Sequence, residues 1–285
     1  MSKSCIIFSC TIISHDRLIV LHDFLKSFKD NFSDVDIFVG INHNSLPETE
    51  SIISQYQLNV VSMSRCKKSL YSNSDASAYQ VAMKQLVNSK NNQYENYWFI
   101  HTKSGVNTHS DYLRSWYINN FIKNRKYIES FINESEDIGS YGLLGLELDD
   151  NKKYNQSDCE IHLFKNNITK ELPFKGAKFF YIHTLYVINK KPMEIFLNLI
   201  SNNWFKTKLD RYYFEGVFPF IVSRSGYFPY IENRFSCSGL DLKPYIDTWI
   251  TENNLVKYKK YSDLFKTSFK FNQLNPPYVN SNTQS

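Results

Sequence analysis

Several things this sequence lacks narrow what the protein can be. No apolar run approaches the roughly 18 residues of a membrane-spanning helix, and Lys67-Lys68 and Lys190-Lys191 interrupt the nearest stretches. The short apolar run in MSKSCIIFSCTIISHD is followed by neither a small-residue cleavage site nor a polar spacer, so it reads as a first strand and not as a leader. Five cysteines (Cys5, Cys10, Cys66, Cys159, Cys237) are an odd number with no CxxC pair. Neither a disulfide framework nor a zinc knuckle is indicated, and a reducing, cytoplasmic setting is expected. The glycine signatures are missing too. There is no GxGxxG after the first strand, no GxxxxGK followed by Ser or Thr, and no GxSxG, which removes the usual dinucleotide, P-loop and nucleophile-elbow readings. The net charge of +5 comes from dispersed lysines and not from a block, which argues against a nucleic-acid surface and suits an anionic small substrate.

What is present is a globular composition, 42% hydrophobic with 16% aromatic residues over 285 positions, enough for a sizeable core. The β-branched run SCIIFSCTI (4–12) predicts a strand. DRLIVLHDFLKSFKDNF (16–32) has helical apolar spacing behind the possible caps Ser14 and Asp16. VDIFVGINHN (35–44) predicts a second strand, Pro47 stands near the first turn of a helix, and LNVVSMS (58–64) predicts a third strand. SDASAYQVAMKQLVNSK (74–90) is a third helix, and YWFIHTKSG (97–105) a fourth strand. Alternating elements with uninterrupted apolar strands imply an α/β fold, with a mostly parallel sheet flanked by helices. Ligands of such sheets bind outside the carboxyl ends of the strands. Ser9 to Thr11, Asn42 to Asn44, Ser64 and His101 to Lys103 are therefore expected around one crevice.

Further along, DYLRSWYINNFIKNRKYIESFIN (111–133) reads as one amphipathic helix and IGSYGLLGLEL (138–148) as one strand. Residues 149–158 form a polar loop, and KFFYIHTLYVINKK (178–191) is a strong strand. PMEIFLNLISNNW and LDRYYFEGVFPFIVSRSG are helical, and YFPYI (227–231) closes the compact part. One last helix is expected over 256–268, before a polar tail. The division expected is a single domain over 1–235 and a carboxyl-terminal extension over 236–285, with a short helix and a flexible tail.

The chemistry concentrates in His101-Thr102-Lys103. A lysine at a strand's carboxyl end can set a point charge against a phosphate, while Thr102, Ser104 and the amides near Gly105 hydrogen-bond its oxygens. A solvated lysine and a packed imidazole are the plain alternative. The order of elements, with SDASAYQVAMKQL, YWFIHTKSG and YLRSW followed later by FFYIHTLYVINKK and LDRYYFEGVFP, resembles the GT-A-like glycosyltransferases related to rhamnan-synthesis and surface-glycan enzymes, over roughly residues 4–232. That resemblance implies a Rossmann-like GT-A fold and a hexosyl- or deoxyhexosyl-transferase, with inversion as the first reading and retention, which would need no general base, as the open alternative. It would move sugar from a nucleoside-diphosphate donor to a glycan hydroxyl in polysaccharide biosynthesis. A non-catalytic nucleotide-sugar or glycan-binding module on the same fold is the alternative.

The family usually carries Asp-x-Asp after the fourth strand to hold a divalent cation. His101-Thr102-Lys103 stands there instead and supplies positive charge itself, so metal-independent donor binding with no cofactor is expected, manganese or magnesium staying the open alternative. Asp34-Val35-Asp36 matches Asp-x-Asp literally but precedes the second strand, at the wrong end of the sheet. By the same resemblance Ser9, Thr11, Ser14, Asn42, Asp75, Ser77, His101, Thr102 and Lys103 contact the donor, with Asp75 equally readable as an N-cap. Glu215, and after it Asp210, are candidates for the general base that takes the acceptor's proton, although an acid near a helix start also serves as a dipole partner. His183 and Glu147 are candidates for acceptor contact. His101, His109 and His183 lack the helical spacing of a zinc site.

Overall fold

The computed structural model describes residues 4–67, 75–89, 94–102, 108–147, 172–181, 184–200, 204, 209, 213–233 and 241–265. The expected α/β fold is what it shows. Its main sheet has seven strands: β1 (Ser4–Cys10), β2 (Asp36–Ile41), β3 (Val60–Arg65), β4 (Asn96–His101), β5 (Ile138–Gly142), β8 (Tyr186–Asn189) and β9 (Phe228–Ile231). They lie in the order β3-β2-β1-β4-β8-β5-β9. β1 pairs in parallel with β2 and β4, β2 with β3, and β5 with β9. β8 alone runs against its neighbours. β6 (Gly145–Glu147) and β7 (Phe179–Tyr181) form a separate antiparallel pair.

Every residue of β1 and β4 is buried, as strands covered on both faces require. On one face α1 (Leu18–Asn31) buries Val20, Leu21, Phe24, Leu25 and Phe28, spaced to share one stripe. The Phe28 ring meets the Phe8 ring edge-on at 5.1 Å. α2 (Thr49–Gln55) links β2 to β3, and α3 (Asp75–Asn88) packs on β1 and β2. Its small residues let it come close. A Cβ at Gly40 of β2 would lie 1.8 Å from the carbonyl oxygen of Ala78, so only glycine fits beneath this helix.

Three elements differ from the sequence expectation. The predicted helix 111–133 is α4 (Thr108–Tyr117), a π-helical turn over Ile118–Ile122, and α5 (Arg125–Asn133). Asparagine amides cause the interruption: Asn120 Nδ2 donates to the Trp116 carbonyl, and Asn124 Nδ2 donates to those of Asn119 and Asn120. The predicted strand 138–148 divides into β5 and β6. The predicted strand 178–191 divides into β7 and β8, with Thr184 between them at a left-handed φ of 47°. α6 (Lys190–Leu199) follows β8 directly, because the Asn189 side chain caps it by accepting from the Lys191 amide at 3.3 Å. α7 (Tyr213–Arg224) then precedes β9.

Among the described residues beyond β9, two α-helices appear where one was expected over 256–268: α8 (Lys243–Glu252) and α9 (Lys259–Asp263). They cover the β9 edge, where the Phe228 ring lies 6.2 Å from Trp249, 5.7 Å from Tyr258 and 5.3 Å from Tyr261. These aromatics belong to the same buried cluster as the strands of the main sheet. Pro229 sits in this edge strand, which bonds only to β5 within the sheet.

Candidate functional site at the carboxyl ends of the parallel strands

The chain leaves β1, adds β2 and β3 on one side, then returns to place β4 on the other. Strand order therefore reverses at β1, and the carboxyl ends of β1 and β4 flank the point where α/β sheets open a crevice. Ser9 and His101 are register partners there. Thr102 joins the two tips: its amide donates to the Ser9 carbonyl at 3.0 Å, and its Oγ1 accepts from the Thr11 amide at 2.9 Å. Thr102 is 1% exposed, so its hydroxyl is used inside the fold to hold the loop after β1.

The β2 tip is tied in the same way. The Asn42 amide donates to the Cys10 carbonyl at 2.8 Å, and Asn42 Nδ2 donates to Ser77 Oγ in the first turn of α3 at 3.1 Å. Asn42 Oδ1 accepts from the Asn44 amide. The loop continues through Ser45 Oγ, which accepts from the Ile12 amide at 3.1 Å. Ser9, Asn42 and Ser77 are fully buried, while Thr11 and Ser14 are half-buried. Ser14 precedes a short 3₁₀ turn, where its carbonyl accepts from the Arg17 amide and its side chain makes no cap bond.

His101, at the end of β4, is 7% exposed, and its ring lies 6.5 Å from that of Tyr79 on α3. Glu215 stands half-buried in the first turn of α7. Burial drives the Tyr186 hydroxyl far above its usual range, and the charges of Tyr79 and Glu215 add to the effect. Tyr186 pairs with Phe99 two residues before His101, and its hydroxyl donates to the Phe214 carbonyl at 2.6 Å. Glu215 is thereby brought to the same end of the sheet as His101. Ser9, Thr11, Asn42, Ser77, His101 and Thr102 lie together at this end of the sheet, with Glu215 on their β8 side. Lys103, His183 and Asp210 lie outside the described residues. Asp75 opens α3 and Glu147 ends β6, and the side chains of both also lie outside the description.

Sequence reading missed Arg65, at the carboxyl end of β3. Its Nε donates to Glu50 Oε1 at 2.7 Å, and its Nη atoms donate to the carbonyls of Ser45 at 2.6 Å and Leu46 at 2.9 Å. The fork clamps the loop after β2 to the edge strand, and its hydrogen bond holds the Glu50 carboxyl below its ordinary value. A strand-terminal arginine fifteen residues after a helix-start glutamate was the available signal. His43, in that loop, has a buried Nδ1 with no hydrogen-bond partner among the described residues, the kind of orphan that a ligand or water commonly satisfies. Burial pushes the Cys66 thiol, beside Ser77, up to about 11, which favours the protonated thiol at neutral pH.

Hard divalent cations need several oxygen ligands, and the His101 imidazole and Thr102 hydroxyl at the β4 tip do not provide them. Among the described residues no three His, Cys, Asp or Glu side chains come together as a metal-binding group. Asp34 and Asp36 lie at the amino end of the sheet and are committed there. Arg125 bonds both Asp34 oxygens, and Asp36 accepts from Asn59 and Tyr94. Among the described residues no helix is long and apolar enough to cross a membrane. No family model and no curated protein matches the chain.

Proposed function

We propose that the chain is a glycosyltransferase of the GT-A type, moving a hexosyl or deoxyhexosyl group from a nucleoside-diphosphate sugar to a hydroxyl of a glycan. One observation carries the reading: Ser9, Thr11, Asn42, Ser77 and Thr102, on the tips of β1, β2 and β4 and the start of α3, are tied in by hydrogen bonds beside His101 where strand order reverses. Backbone at strand ends supplies fixed dipoles for a ligand that must be held without a metal. His101 then faces the diphosphate, and Lys103, the second residue after it, adds the positive charge that Asp-x-Asp enzymes obtain from a cation.

Glu215 is the candidate base. It takes the proton of the acceptor hydroxyl as that oxygen bonds to the anomeric carbon on the side away from the diphosphate. The carbon–oxygen bond to the diphosphate breaks, and its electron pair leaves on the diphosphate, whose growing charge the His101 and Lys103 side chains stabilise. Configuration inverts and no covalent sugar–enzyme intermediate forms.

A thermal-unfolding panel of nucleoside diphosphates and their sugar derivatives, each with and without EDTA, tests the reading. A ligand at a hundredfold excess over its Kd stabilises the folded chain by about 2.7 kcal/mol, a rise of several degrees in Tm for a protein of this size. At least one of these ligands is expected to give that rise equally in EDTA. No rise from any of them, or a rise that needs manganese, would refute the proposal.

A further inference from the structure

The strained turn between β7 and β8 is held from across the molecule. Thr184 is β-branched, 3% exposed and has φ 47°, a backbone state that favours glycine or asparagine. Such a residue persists only where its surroundings over-determine it, and strain of this kind gathers at working sites. Here the surroundings are specific. The Tyr79 hydroxyl, fully buried on α3, donates to the Thr184 carbonyl at 3.0 Å. The next residue, Gln80, donates through Nε2 to the Trp204 carbonyl at 2.9 Å, and Trp204 Nε1 donates to the Tyr213 hydroxyl at 2.9 Å. Tyr213 and Phe214 open the helix that carries Glu215, and the Phe214 ring lies 4.9 Å from the Tyr79 ring. Two adjacent residues of α3 thus reach both the strained turn and the start of α7, while the Tyr79 ring also lies beside His101.

We infer that Tyr79 is a positioning residue. It sets the spacing between the His101 side of the crevice and the Glu215 side, acting through the Thr184 carbonyl and the Phe214 ring. Its part in the reaction rests on the glycosyltransferase reading. Its hold on the turn does not. Nothing in its local sequence, SAYQVA on an amphipathic helix, sets it apart from an ordinary core tyrosine; only the partners of its hydroxyl and ring do.

The Tyr79→Phe variant removes one oxygen and keeps the ring, and a Tyr79→Phe/Thr184→Gly double variant lets the turn keep its conformation without the hydroxyl. In full-length protein, Tyr79→Phe is expected to bind nucleoside diphosphate within twofold of wild type. Its transfer at saturating acceptor is expected to be at least tenfold slower, and the double variant is expected to recover most of that loss. An equal loss of donor affinity and rate, unchanged transfer, or a double variant as slow as the single one would overturn the inference. Amide hydrogen exchange across 181–186 reads the hold without any substrate and should quicken at least tenfold in Tyr79→Phe. Unchanged exchange overturns it, whereas quickened exchange in a protein that takes no nucleotide sugar keeps the hold and removes only the glycosyltransferase reading.

Discussion

Glu129 receives three donors on one carboxylate oxygen: Ser4 Oγ at 2.6 Å, Trp98 Nε1 at 3.0 Å and Arg125 Nε at 3.1 Å. The Arg125 guanidinium also reaches Asp34 and lies 5.0 Å from the centre of the Phe32 ring. Removing one member of a buried charged set strands the others without partners. Glu129→Ala is therefore expected to cost about 3–5 kcal/mol in urea unfolding, with no loss of ligand affinity per folded molecule. Glu215→Gln is the opposite case, a half-buried group on a helix start whose loss should barely change the unfolding midpoint. It should lower transfer by at least a hundredfold with donor affinity kept, and a rate within threefold of wild type would remove Glu215 from the mechanism. At this scale the tips were legible in the sequence, because polar residues ending apolar runs stand out. The inward hydroxyl of Thr102 and the fork of Arg65 were not, since each is defined by a partner from a distant part of the chain.

The contact of α3 with β2 is a close one, with only glycine fitting beneath the helix. Gly40→Ala would drive a methyl into the Ala78 backbone, not into a yielding side chain, so the helix must lift from the sheet. Overpacking of this kind costs about 1–3 kcal/mol, and because Ser77 rides on the same helix, ligand affinity should fall together with stability. Isothermal titration beside urea unfolding checks both losses, and affinity unchanged in a destabilised Gly40→Ala protein would show that the helix start does not shape the crevice. Strand and helix types were legible wherever a period ran unbroken, as in 18–31 and 75–88. They were not where side chains intervened. Asparagine amides broke the helix over 111–133, and Asn189 ended β8 within what reads as one apolar strand. The aromatic cover of β9 was hidden because its partners come from 249–265, where the sequence signalled one helix over 256–268 but neither the helix over Lys243–Glu252 nor the packing of either on β9.

At the scale of the whole molecule, the ion pairs that tie separate elements together include Arg125 with Asp34 and Arg65 with Glu50. Each arginine's hydrogen bond lowers the carboxyl's pKa from its ordinary value, 3.8 for Asp34 and 4.5 for Glu50. A lowered pKa means the folded chain binds that proton less readily than the unfolded one. Their stabilisation is complete above the ordinary values and drains away as pH falls through the lowered ones. The urea midpoint is expected to be flat from neutrality to about pH 5 and to drop below about pH 4.5, with a shallower drop in Glu50→Gln. An equal acid slope in that variant would mean that Glu50 takes no part.

The α/β sheet could be read from the order of elements alone, whereas the reversed β8 and its strained entry at Thr184 could not, because nothing local distinguishes a parallel from an antiparallel apolar strand. The claim on which the rest depends is that anionic ligand sits where strand order reverses. Amide hydrogen exchange at saturating nucleoside diphosphate tests it most directly. Slowed exchange is expected over residues 9–14, 42–46 and 100–103 and not over 34–37 or 125–129 at the opposite end. Slowing confined to that opposite end, or none anywhere at saturation, would contradict it.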